Sequence, residues 1–122
     1  MPHFSIKARL KSFVYAFRGL LVALKEEHNF RIHLVAAVLV IIAGFWLQIS
    51  RTDWLWLTLA IGLVLVAEIF NTAIERLVDL KQPEQDPKAG KTKDLAAGAV
   101  LLAAITSAII GGLVFWPYIQ AL

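Results

Sequence analysis

The chain has 122 residues, of which 59% are hydrophobic, and carries a formal net charge of +3. A mean hydropathy of +0.71 excludes an ordinary soluble domain, and the length allows a single domain, 1–122, with too few inward-facing positions for a large core of its own. The absence of cysteine excludes a disulfide framework, thiolate catalysis and cysteine–zinc sites, and the basic surplus is distributed as membrane topology would distribute it, so no nucleic-acid partner is expected.

Residues 4–28 read as an amphipathic helix. Ile6, Leu10, Phe13, Phe17, Leu20, Leu21 and Leu24 form an apolar stripe, and Lys7, Lys11, Arg18 and Lys25 form a basic one. Ala8, Ser12, Ala16, Gly19 and Ala23 make a third stripe of small residues. The first two suit a helix lying in the headgroup plane, and the third would let it press against a bundle. Glu26, Glu27, His28 and Asn29 then interrupt the pattern. Glu27 and Arg31 are four apart, so a simple helical ion pair would account for both. His28 and His33, five apart, do not share a helix face, which argues against a metal site made from them.

Three runs are long enough to cross hydrocarbon: 32–50, 54–80 and 94–117. Some thirty residues precede the first and no small-residue cleavage site follows it, so it reads as a span rather than a secretory leader. Ser50 to Asp53 forms a polar turn between the first two spans, ringed by Trp46, Trp54 and Trp56 as an interfacial belt. Six basic residues precede the first span, one lies in this turn, five lie between Arg76 and Lys93, and none follows. The positive-inside rule therefore places the N-terminus and the second loop in the cytoplasm and the C-terminus outside, in a multi-pass protein.

The second span carries the unusual feature. Glu68, Asn71, Glu75 and Asp79 follow fourteen uncharged residues at spacings of three, four and four, and therefore share one helix face. Glu68 lies fourteen residues from Trp54, about 21 Å into the membrane and in its cytoplasmic third. Asn71 by itself could be interhelical hydrogen-bond glue and Asp79 by itself a solvated helix end. Repeated carboxylates on one face repel one another, however, and call for protons, lysines or a cation. Such a row, running from lipid depth to cytosol, suits chemistry between a membrane-dissolved substrate and a water-soluble one.

Residues 81–93, with Pro83, Pro87 and Gly90, read as a flexible cytoplasmic loop. Its lysines are what the positive-inside rule provides. Lys93 and Asp94 are expected to open the last helix, where backbone N–H groups favour an anion such as a phosphate. No glycine-rich nucleotide loop is present. In the third span Ala99, Ala103, Ser107 and Gly111, and likewise Ala104, Ala108 and Gly112, recur every four residues as ridges for close helix packing.

These residues resemble the prokaryotic diacylglycerol kinase family of small integral-membrane lipid kinases. The likeness rests on E-x-x-N-x-A-I-E-x-x-V-D from Glu68 to Asp79, on K-D-x-A-x-G-A-V from Lys93 to Val100, and on E-x-x-F-R from Glu27 to Arg31. It spans nearly the whole chain. By that resemblance the fold is an all-α membrane protein, a surface helix plus three spans, assembled as a homotrimer with sites between subunits. Glu68 would be the general base acting on a lipid hydroxyl, with Ala97 and Gly98 joining it at the lipid, and Asn71 would orient the reacting groups. Glu27 and Glu75 would hold Mg²⁺. Lys93, Asp94 and Asp79, with Arg9 and Arg18 of the surface helix, would serve ATP. The segments Ala96-Ala97-Gly98 and Gly98-Ala99-Val100 look more like the undecaprenol kinase branch than the diacylglycerol branch. A competing reading is a small proton-coupled multidrug transporter built on one intramembrane glutamate. Three spans and a lysine-bearing inner loop argue against it.

Overall fold

A computed structural model describes residues 3–122 as four helices, α1 (Ile6–Glu26), α2 (His28–Leu47), α3 (Arg51–Lys81) and α4 (Pro87–Gln120), with no other regular elements among the described residues. The last three are each long and apolar enough to cross a membrane. Most of their surface is not covered by the chain itself: Leu39, Leu59, Phe70, Leu102 and Leu113 all lie exposed. In a membrane protein such side chains meet lipid or another subunit, which costs nothing in hydrocarbon.

Each helix end has a local cause. The Ser5 hydroxyl accepts the Ala8 N–H at the start of α1, a standard N-terminal cap. Expected to run to residue 28, α1 stops at Glu26 because Glu27 adopts an extended conformation and serves as the hinge into α2. Arg31 secures this corner: its Nη1 donates to the carbonyls of Leu24 and Lys25 at 3.3 and 2.9 Å, and its Nη2 lies 2.7 Å from His28 Nδ1. The expected Glu27–Arg31 side-chain pair is therefore not made. Glu27 accepts from Arg76 at 2.9 Å instead, and the Arg31 guanidinium caps the carbonyls exposed where α1 ends.

The outer turn is shorter than the sequence suggested. Helix α2 ends on Gln48 in the left-handed region (φ 53°), with Gln48 N–H bonded to Phe45 O and Ile49 N–H to Gly44 O, the pattern of a Schellman motif. Ser50 then caps α3 by accepting the Asp53 N–H at 3.1 Å. Below the turn Gly44 admits the Trp54 ring: a Cβ there would stand 2.6 Å from Trp54 Cη2. The Tyr118 hydroxyl donates to Asp53 Oδ2 and accepts the Ser50 N–H at 2.9 Å, tying the end of α4 to the turn. Tyr118→Phe is expected to destabilise this end by about 0.5–1.5 kcal/mol, the net worth of a hydrogen bond where water can replace the lost partner. Thermal unfolding in detergent would measure the loss.

Helices α3 and α4 form the tightest pair, and α2 packs more lightly on α3. Leu57, Ala60, Val64, Ala96, Val100, Ala103 and Val114 are buried, and Ser107 Oγ donates to Ala60 O across the pair at 2.8 Å. Of the two small-residue ridges expected on α4, only the one through Ala103 and Ser107 turns inward, whereas Ala108 and Gly112 are exposed. The inner loop also differs from expectation. Asp86 Oδ2 accepts the N–H groups of Lys88 and Ala89, with Pro87 in the first turn, so α4 begins at residue 87 and the irregular segment shrinks to 82–86. A proline fits a helix's first turn because no N–H is needed there. Pro117 is carried within the last turn, and α4 runs on to Gln120.

Candidate active site

The acidic face of α3 dips from the helix's C-terminal end into the bundle. Glu68 is 3% exposed and Asn71 7%, Glu75 is half-buried and Asp79 exposed. Local periodicity makes this row, and packing against α2 and the α1–α2 corner buries its lower end. Asn71 Nδ2 donates to Glu75 Oε1 at 3.2 Å. The amide's other end, Oδ1, is buried without a hydrogen-bond partner, an uncommon condition for a buried acceptor and one that a bound ligand would relieve.

The four residues do not all meet. Glu68 and Glu75 are seven positions apart, about 10.5 Å of helix rise, and Asp79 forms an ion pair with Lys93 of α4. Glu27, placed at the corner by the break between α1 and α2, accepts from Arg76 Nη2 at 2.9 Å, and Glu26 lies 3.7 Å from the same nitrogen. Both Glu27 and Glu75 stand close enough for their charges to bear on Glu68. Glu27, Glu68 and Glu75 thus lie towards the same end of the bundle, although no group of three metal-ligating side chains is gathered tightly enough, among the described residues, to hold an ion unaided.

Two contacts escaped the sequence reading. His33 Nε2 lies 3.4 Å from Glu68 Oε1, although the sequence had weighed His33 only as a partner for His28. Arg76 binds the corner acids, although it had counted only as a topological charge. Depth could have exposed both. His33 lies six residues inward of Glu27 and Glu68 eight residues inward of Arg76, so a Glu27–Arg76 contact between antiparallel helices brings His33 to Glu68.

The expectation that Lys93 and Asp94 open the last helix is corrected. Six residues precede Lys93 in α4, about 9 Å, so the helix's first-turn N–H groups lie at Lys88 and Ala89, where Asp86 already accepts them, rather than at Lys93. Lys93 turns toward α3, where it borders a cavity of about 580 Å³ lined also by Asp79, Gln82, Asp86 and Gly90. Asp94 points elsewhere, into a groove shared with Lys91 and Gly98. Ala97 is exposed. Arg9 and Arg18 are exposed on α1 and enter no ion pair among the described residues, Arg18 lying 5.6 Å from the Tyr15 ring centre. Towards the α2–α3 turn an apolar cleft of about 220 Å³ opens between α2, α3 and α4, with His33 at one end and Leu57, Ala60, Val64, Ser107 and Gly111 along its walls.

Residues 14–115 match the family described as prokaryotic diacylglycerol kinase. The chain is 45% identical over 107 residues to the undecaprenol kinase of Bacillus subtilis (strain 168), covering 88% of this chain and 87% of that one. It is 41% identical over 114 residues to the diacylglycerol kinase of Synechocystis, covering 93% of this chain and 65% of that one. To the diacylglycerol kinase of Escherichia coli (strain K12) it is 32% identical over 109 residues, 89% of each chain. With three membrane-capable helices and a buried acidic row joined to the family's full span, the chain belongs to the prokaryotic diacylglycerol kinase family and is a multi-pass membrane lipid kinase.

Proposed function

We propose that this kinase transfers the γ-phosphate of ATP, with Mg²⁺, to the hydroxyl of a membrane lipid alcohol at the cytoplasmic interface, undecaprenol ahead of diacylglycerol. The observation that carries the reading is the buried Glu68 carboxylate within a membrane-capable helix, followed on its own face by Asn71 with an unpaired Oδ1. Structural glue would not need a carboxylate at this depth, nor leave an amide oxygen without a partner. Glu68 is the general base: it takes the lipid hydroxyl's proton as that oxygen attacks phosphorus, in a low-dielectric setting where a fixed base is effective. Asn71, its amide nitrogen held by Glu75, turns Oδ1 to the reacting groups and orients them. Membership of the family sets the transporter reading aside.

The donor set suits magnesium. Glu27 and Glu75 offer hard carboxylate oxygens, and Mg²⁺ is commonly held by one or two carboxylates plus substrate phosphates and water, so a tight three-residue cluster is not required. When bound, the ion neutralises charge on the phosphate oxygens of the nucleotide. Lys93 and Asp79, at the mouth of the inner-loop cavity, and Asp94 serve the nucleotide, with Arg9 and Arg18 as further contacts from the surface helix. The lipid approaches with Ala97 and Gly98 beside it. The basic and apolar stripes of α1 support its lying at the cytoplasmic membrane surface, and the uncovered apolar flanks of α2 and α4 support a homotrimer with shared sites. The count of basic residues supports a cytoplasmic N-terminus and an outer C-terminus.

The preference for undecaprenol is supported by the Ala96-Ala97-Gly98 segment and by the 45% identity to a kinase named for that lipid. Side-by-side transfer of labelled phosphate from ATP to undecaprenol and to diacylglycerol, in one detergent, tests it. Both lipids are expected to be labelled, undecaprenol several-fold faster. A faster diacylglycerol reaction would reverse the preference, and no labelled lipid would overturn the reaction.

A further inference from the structure

We propose that His33 is a positioning residue for this reaction: its imidazole holds one oxygen of Glu68 so that the other is turned to the lipid hydroxyl. The inference rests on Glu68 being the base. His33 Nε2 stands 3.4 Å from Glu68 Oε1, long for a hydrogen bond but a spacing that substrate binding commonly tightens. Among the described residues Glu68 has no other polar side-chain contact. The nearby amide that might have served, Asn71 Nδ2, is taken by Glu75. Without the imidazole a glutamate on three rotatable bonds, repelled by the charges of Glu27 and Glu75, would have nothing to select its productive rotamer. The histidine also stands at the end of the apolar cleft between α2, α3 and α4, so a lipid chain lying in that cleft would bring its hydroxyl to the pair.

The Glu68 side chain is 4% exposed and that of His33 26%, so the imidazole stands on the open side of the pair and the carboxylate on the buried side. Glu68 faces it from α3, with Glu75 further along the same face. Glu27 stands at the corner, and α4 contributes only Ser107 and small or apolar residues. With no other polar side chain from α4 to take its place, the imidazole makes a contact that a donor at position 33 can restore and an apolar side chain cannot.

The experiment measures kcat, KM for lipid and ATP, and thermal unfolding of the full chain in detergent, beside His33→Leu, His33→Ala, His33→Gln and Glu68→Gln. His33→Leu is expected to lower kcat by about 10–100-fold, as a misplaced catalytic group does, with both KM values within about twofold. His33→Gln keeps an N–H donor within reach, so it is expected to recover most of kcat. A purely structural contact would lower the unfolding temperature and leave kcat of the folded protein unchanged. Wild-type kcat in a folded His33→Leu overturns the inference, as does wild-type kcat in His33→Ala should the leucine variant not fold. If Glu68→Gln is inactive while His33→Leu behaves as wild type, only this inference fails, whereas an active Glu68→Gln removes the base assignment as well.

Discussion

Glu68→Gln lowers kcat for lipid phosphorylation by about 10³-fold, the middle of the range for removing a general base and equivalent to about 4 kcal/mol of transition-state stabilisation. The substitution keeps the side chain's shape while deleting its proton-accepting oxygen charge. Because the carboxylate is 3% exposed and lies near two other acids, losing its charge also relieves desolvation and repulsion. The variant is therefore expected to fold at least as stably as the parent, with KM for ATP little changed, since the nucleotide is assigned to groups nearer the cytosol. Labelled phosphate transfer together with thermal unfolding in detergent separates the two effects. Turnover within tenfold of wild type in a folded variant would end the assignment.

Glu75→Gln shifts the magnesium dependence instead. The half-saturating concentration is expected to rise on the order of 10–100-fold, the scale on which even supporting groups of metal sites act, with part of kcat regained at high magnesium. Glutamine retains a carbonyl oxygen able to accept from Asn71 Nδ2, now 3.2 Å from Glu75 Oε1, so the amide stays oriented and the loss isolates the charge. Glu27→Gln should move the curve the same way. It also loses the 2.9 Å contact to Arg76, so some loosening of the corner between α1 and α2 accompanies it. A titration of activity against free magnesium at saturating ATP distinguishes these outcomes. An unchanged curve in Glu75→Gln excludes it as a ligand.

Much of the candidate site is legible because a helix turns sequence spacing into direction. Steps of three and four residues are enough to place Glu68, Asn71, Glu75 and Asp79 on one face, and the uncharged run before them is enough to place Glu68 at membrane depth. Helix ends proved less legible wherever one side chain outweighed a pattern. Asp86 and Pro87 start α4 earlier than the glycine and prolines around them suggest, which moves Lys93 and Asp94 out of the first turn. At the other corner the extended Glu27 ends α1 and lets Arg31 cap its final carbonyls instead of pairing with the acid four residues before it.

The order of residues by itself determined four helices, three of them able to cross a membrane, and an acidic stripe along the second of those three, because hydropathy and the 3.6-residue repeat act within a single segment. Only the tertiary structure decided that His33 reaches Glu68, that Arg76 holds Glu27, and that Asn71 keeps one oxygen without a partner. Those facts depend on how far one helix slides and turns against the next, and that offset is set by packing among residues far apart along the chain.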